Sequence, residues 1–333
     1  MNRNIPTVNV RRRYLSHYVC YTTMLGIFLI TTSGCRQGLS SYDPSRYFEQ
    51  AQQSHAHINS IVIEGKIVRE ENGNIINGKI RMMTDLSGNL RVDVISPFDQ
   101  PMGILIANDK AFQYFDFAKT TLFEGKPDPC TIAQFLSISL TPHDVLPLLT
   151  GLPPLVGRAY HVDSQASAAK GPASAGQGPA GTTTMVANGS QGERQTLVLQ
   201  WFGNEWVTSN SEIDAPIPAA PKTQSTEESS PKQNSLSKDI TQPELFPVLR
   251  VSYKDYVYIG QTPIPQSISV SEPINKRSLT LMIKHEDLNV TIPPSSFTFT
   301  PPSNSTRQTI TCDASIPMPP QNTVETPSNQ TIP

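Results

Sequence analysis

The side chains with chemical potential are few, and the cysteines come first. Cys35 follows Ser33 and Gly34 at the end of an apolar run, a position unlike that of an ordinary buried thiol. Cys130 and Cys312 lie far apart in the chain. His55-Ala56-His57 is the one close pair of imidazoles, readable as a metal clip or as the solvated end of a polar helix, and the latter is preferred. His143, His161 and His285 are scattered, with no spacing that brings two to one face. There is no glycine-rich phosphate loop and no G-x-S-x-G turn. Most serines and threonines fall in low-complexity stretches that offer a nucleophile no rigid scaffold. No catalytic residue, metal site or cofactor is expected, and the chain does not read as an enzyme.

The elements around Cys35 give it meaning. Arg11, Arg12 and Arg13 precede an apolar stretch from Tyr18 to Ile30, too short to span a bilayer comfortably, since a span takes roughly 20 apolar residues. A charged start, a short apolar core and small residues together make an export signal over residues 1–34. Arg11-Arg12-Arg13-Tyr14-Leu15 also loosely resembles a twin-arginine signal. Thr32-Ser33-Gly34-Cys35 resembles the lipobox of bacterial lipoproteins, with Thr32 standing where that family usually has Leu. The resemblance implies lipidation of Cys35 and a membrane anchor; the alternative is a plain secretory signal with a free thiol. Each buried methylene contributes about 0.8 kcal/mol, so two or more acyl chains hold firmly. Gln37, two past the cysteine, implies the outer membrane by resemblance to enterobacterial sorting.

Formal net charge is −2 across 333 residues, and there is no long basic run, so nucleic acid is not an expected partner. Thirty prolines argue against a mainly helical protein. In an oxidising compartment, with Cys35 acylated, Cys130 and Cys312 form either a disulfide or two buried free thiols. Residues 35–45 read as a tether. Residues 164–193 and 214–243 are too poor in large apolar side chains to offset their ordering entropy, and read as disordered insertions, as does the tail 313–333.

Between these stretches the apolar period is informative. Tyr47, Phe48, Ala51 and Ile58 have helical spacing. Ile61, Ile63, Gly65 and Ile67 then alternate with Glu64 and Lys66, and the same two-residue period recurs in Ile76–Met82 and Leu90–Val94. Asn72-Gly73 and Gly88-Asn89 supply turns. Asp128-Pro129 and Thr141-Pro142 start two short helices, carrying Ile132, Phe135 and Leu136, then Val145, Leu146, Leu148 and Leu149. Strands resume through Leu197–Val207, Leu249–Tyr253, Ile268–Val270, Leu279–Ile283 and Val290–Ile292. The fold expected is mainly β (α+β), over residues 46–310. A curved antiparallel sheet of ten or so strands forms an unclosed half-barrel, covered by short lid helices. Ile63, Ile80, Val92, Leu136, Leu146 and Leu149 then either line a cavity or are ordinary packed core.

That order of elements resembles the periplasmic lipoprotein-carrier superfamily of LolA and LolB. The most similar stretch is Leu90 to Gly103, including Ser96-Pro97-Phe98-Asp99-Gln100-Pro101-Met102, with further likeness at Phe123-Glu124-Gly125, Leu148-Leu149-Thr150-Gly151 and Ile292 to Phe297. The resemblance is closest to LolB-like outer-membrane lipoproteins. It implies a membrane-inserting loop carried by Phe98, with Met102 nearby; by its turn chemistry alone, Phe98 folds back as a cap. It also implies binding of lipid or lipoprotein acyl chains and exchange with a periplasmic LolA-like carrier. The two insertions depart from the receptor's pattern. The alternative is an envelope assembly or interaction lipoprotein that holds a protein partner and transfers no lipid.

Overall fold

In a computed structural model, the structure describes residues 47–156, 160–162, 182–203, 205–216 and 244–312. The signal, Cys35 and the tether lie outside the described residues. So do most of both proposed insertions and the tail.

Helix α1 (Tyr47–His55) leads into a meander of β1 (Ser60–Glu71), β2 (Asn74–Asp85), β3 (Leu90–Ile95), β4 (Pro101–Ala107), β5 (Phe112–Asp116) and β6 (Thr121–Gly125). Helices α2 (Pro129–Leu136) and α3 (Pro142–Leu149) follow. The second set of strands is β7 (Tyr160–Val162), β8 (Thr182–Asn188), β9 (Arg194–Phe202), β10 (Glu205–Pro216), β11 (Leu245–Ile259), β12 (Thr262–Glu272) and β13 (Arg277–Leu288). A 3₁₀ turn (Pro294–Phe297) precedes β14 (Thr306–Ile310). Among the described residues all fourteen strands join one sheet, in the order β14-β6-β5-β4-β3-β2-β1-β13-β12-β11-β10-β9-β8-β7. The sheet is not closed: β14 and β7 are its two edges.

Alternation decides which side is inside. Ile61, Ile63 and Ile67 are buried and pair across β2 with Thr84, Met82 and Gly78, while Glu64 and Lys66 face solvent. Ile80, Met82, Leu90, Val92, Leu105, Ile268, Val270, Leu279 and Leu281 continue this face, forming one apolar core with both lid helices. Burying such a face is worth about 25 cal/mol per Å² of apolar surface. The sheet bends at β1, where a register shift falls between Glu64 and Gly65 opposite β13. A Cβ on Gly65 would sit 2.2 Å from the Met282 carbonyl oxygen, so only glycine permits that approach.

Two expectations need correction. Residues 182–188, inside the proposed 164–193 insertion, form β8, and Asp214–Pro216 complete β10 rather than open a second insertion. Met185 and Ala187 of β8 are buried against β9, which provides the packing that the local composition lacks. The sheet is also not wholly antiparallel, since β14 pairs β6 in parallel, Thr306 beside Thr121 and Ile310 beside Gly125. Residues 289–305 make the required crossover along the convex side. There Phe299 packs on Phe115 (centroids 5.1 Å apart), and Arg91 Nη1 donates to the Ser296 carbonyl at 3.0 Å.

Candidate functional site

The lid and the concave face meet over an apolar void of about 30 Å³. It is lined by α2 and α3, their linker and the strands beneath, including Leu136, Leu149, Met82 and Ile268. Of the six expected lining residues, Leu136 and Leu149 border this void. Ile63, Ile80, Val92 and Leu146 are buried in the surrounding core instead. The void is about large enough for a single water, and an apolar space of that kind stays dry. An acyl chain therefore enters only if the lid moves away from the sheet.

The attachments of the lid define how it could move. Cys130 at the start of α2 is joined to Cys312 as a disulfide, with Cα atoms 6.1 Å apart. Phe135 of α2 packs among Tyr114 (4.2 Å), Phe112 (5.3 Å) and Phe123 (5.4 Å). Helix α2 is thus fastened at one end covalently and at the other by aromatic rings. The α2–α3 linker is held differently, by charged groups. Arg69 of β1 donates through Nε to Ser137 Oγ and through Nη2 to the Gln134 carbonyl at 3.3 Å. Glu71 braces it, taking Arg69 at 2.5 Å and Arg277 at 3.0 Å. Glu272 of β12 is 1% exposed, and its Oε1 accepts from the Ser139 amide while Oε2 accepts from Asn275 Nδ2 at 2.9 Å. Helix α3 begins with Asp144 accepting from the Thr141 amide at 2.8 Å.

His55 of α1 fixes the far end of α3, its Nε2 lying 2.9 Å from the Thr150 carbonyl and its Nδ1 2.7 Å from the Ala51 carbonyl. Burial holds its pKa below the ordinary value, while the two carbonyls pull the other way. His57 faces Thr262 Oγ1, His143 pairs with Asp109, and His285 pairs with Asp287. The 55–57 pair is therefore a brace in this fold, with both ring nitrogens of His55 engaged. Sequence reasoning missed Arg69 and Glu272. Each is a charge at an inward position of an alternating run, Arg69 following Ile63 and Ile67, Glu272 following Ile268 and Val270.

The β3–β4 turn is built to hold Phe98 outward. Ser96 Oγ accepts from the amides of Phe98 (3.2 Å) and Gln100 (3.1 Å), and the Ser96 amide donates to the Gln100 carbonyl at 2.8 Å. Asp99 sits at φ 63° and pairs with Lys79 of β2 at 2.5 Å. Phe98 is 85% exposed and Met102 36%. The folded-back cap is not what forms: the ring stands in solvent at the apex of the turn.

No protein-family model matches the chain, and no curated protein matches its sequence. Solved structures of similar architecture include a DUF1329 family protein from Desulfovibrio piger, 9% identical, with TM-score 0.47 over 77% of this chain and 98% of that one. A LolA superfamily protein from Nitrosomonas europaea is 10% identical, with TM-score 0.43 over 75% and 95%. A proposed outer membrane lipoprotein-sorting protein domain from Vibrio parahaemolyticus is 7% identical, with TM-score 0.42 over 77% and 97%. At these identities the likeness concerns architecture alone and assigns this chain no activity.

Proposed function

We propose that this chain is an outer-membrane lipoprotein, anchored through Cys35 and facing the periplasm. Its half-barrel takes up acyl chains beneath the lid and helps receive or insert lipoproteins, in the manner of LolB. The observation that carries this reading is the wholly apolar seam between lid and sheet, closed at the linker by hydrogen bonds that Arg69 donates and Glu272 accepts rather than by packing alone. Such bonds can be exchanged as a ligand enters. The disulfide and the Phe135 cluster keep α2 in place, which leaves the linker and α3 as the moving part. The exposed Phe98 supports delivery at a membrane, and a LolA-like carrier is the partner this function calls for.

Native mass spectrometry with organic extraction, on the chain beginning after Cys35, tests the reading. Stoichiometric acyl lipid, or uptake of an added acyl probe, is the expected result. A clean mass that takes up no probe overturns it. The small void also favours a second reading, in which the interior stays packed and the domain holds a protein partner.

A further inference from the structure

Phe98 does not stand alone at its end of the sheet. Strand β2, just past the β1–β2 turn, carries Ile75 (61% exposed) and Ile76 (44%), and the β12–β13 turn carries Ile274. These turns are joined: the Asn72 amide donates to the Lys276 carbonyl at 3.1 Å, and Lys79 of β2 holds Asp99 of the Phe98 turn. Register places them at the same end of the sheet. Ile95 is opposite Lys79, and each chain continues three or four residues further before reaching Phe98 or Ile76 and Ile75. At about 3.3 Å per strand residue, Ile76 and Ile75 stand roughly 10–13 Å along β2 beyond that rung, while Phe98 is at the apex of the turn closed between Ser96 and Gln100.

Just below its exposed Asn72-Gly73-Asn74 turn, the β1–β2 hairpin has isoleucine on both faces. Ile76 pairs with Arg69 on the lid side, and Ile75 with Glu70 on the other. A strand packing on a core has one apolar face, whereas a wedge entering an apolar medium has two. The charges around these tips are mostly paired with opposite ones. Lys79 pairs with Asp99, Lys119 with Asp116, and Arg69 and Arg277 share Glu71, while Lys276 and Glu70 line one shallow recess. A surface of separate apolar points on matched charges fits neither a polyanion nor a shaped protein groove. It fits the interface of an uncharged bilayer, where side chains enter singly.

We infer that the end of the β1–β2 hairpin, through Ile75 and Ile76, is a second membrane contact with a zwitterionic bilayer beside Phe98, with Ile274 at its margin. This rests on the membrane role proposed for Phe98 and adds the surface that would set the angle of the half-barrel mouth on the bilayer.

The test uses the full chain reconstituted in phosphatidylcholine vesicles, with Ile75→Trp, Phe98→Trp and Leu86→Trp made separately. Leu86, 58% exposed in the β2–β3 turn, is the control at the opposite end of the sheet. Quenching by lipids brominated on the acyl chain is read as the difference from the parent, which corrects for Trp201 and Trp206. The expected result is severalfold greater quenching for Ile75→Trp and Phe98→Trp than for Leu86→Trp. Phe98→Trp quenched with Ile75→Trp at the control level overturns this inference and leaves the Phe98 reading standing. Both at the control level overturns the two together.

Discussion

Glu272→Ala should loosen the lid without loosening the sheet. In the folded protein Glu272 Oε1 accepts from the Ser139 amide, inside a linker whose Ser137, Ile138, Ser139 and Leu140 are all buried. Removing the carboxylate leaves that amide without its acceptor and out of reach of water, which costs about 1–3 kcal/mol. Taking about 2 kcal/mol, the opening equilibrium of the linker rises roughly thirtyfold, since 1.4 kcal/mol is tenfold. Sub-global openings of this kind are read by native-state amide exchange. Protection across the linker and α3 should fall by about that factor, while amides of β1 to β3 keep theirs. Glu272→Gln retains an acceptor in the same place and should stay within a few-fold of the parent. Equal losses in the sheet and the lid would show that Glu272 supports the whole domain and is no latch. So would an Ala variant that exchanges like the Gln one.

Phe98→Asp should leave the urea midpoint unchanged, because the ring packs on nothing, but should abolish transfer of a fluorescent acylated cargo to vesicles; full transfer would remove Phe98 from the mechanism. Cys312→Ala opens a loop of 182 residues, for which the chain-entropy model gives about 5 kcal/mol. A large fall in melting temperature is expected, with Cys130 becoming open to alkylation without reductant; an unchanged melting temperature would contradict it. His55 has a folded pKa below its unfolded value, so the unfolded chain binds more protons between the two. Stability is then full above the unfolded value near 6.5 and declines as pH falls towards the folded value. His55→Gln should flatten that decline between pH 7.5 and 5.5 in urea titrations, and an identical slope would exclude His55 as its source.

The parts of this fold that could be read in advance are those with two-sided environments. Ile63, Ile67, Ile80 and Val92 are flanked by Glu64, Lys66, Lys79, Arg81, Arg91 and Asp93 because one sheet face packs on the core and the other carries the charges. The helix starts were legible too, with Pro129 and Pro142 both in first turns. Strand β8 was not, since its burial comes from pairing with β9 and β7 and only Met185 and Ala187 are buried. The β-branched run Thr182-Thr183-Thr184 was a signal for it that glycine-rich surroundings outweighed. Strand β14 was hidden for another reason, because it lies on an edge with most of its side chains exposed. At the site, Leu136 and Leu149 followed from helical spacing, but Arg69 and Glu272 act across the fold on a linker that no local pattern connects to them.

The pairing of β1 with β13 has a kinetic consequence. Strands β1 to β6 are sewn by local hairpins, whereas the middle of the sheet waits for Ile61 to meet Leu288 and Glu71 to meet Arg277. Closing loops of that size before any contact rewards them makes such topologies slow folders. The first meander would form early, with one edge of β1 still bare, and the molecule would become whole only when the late strand arrives. On the export route proposed for this chain, that delay would be an advantage built into the order of its strands.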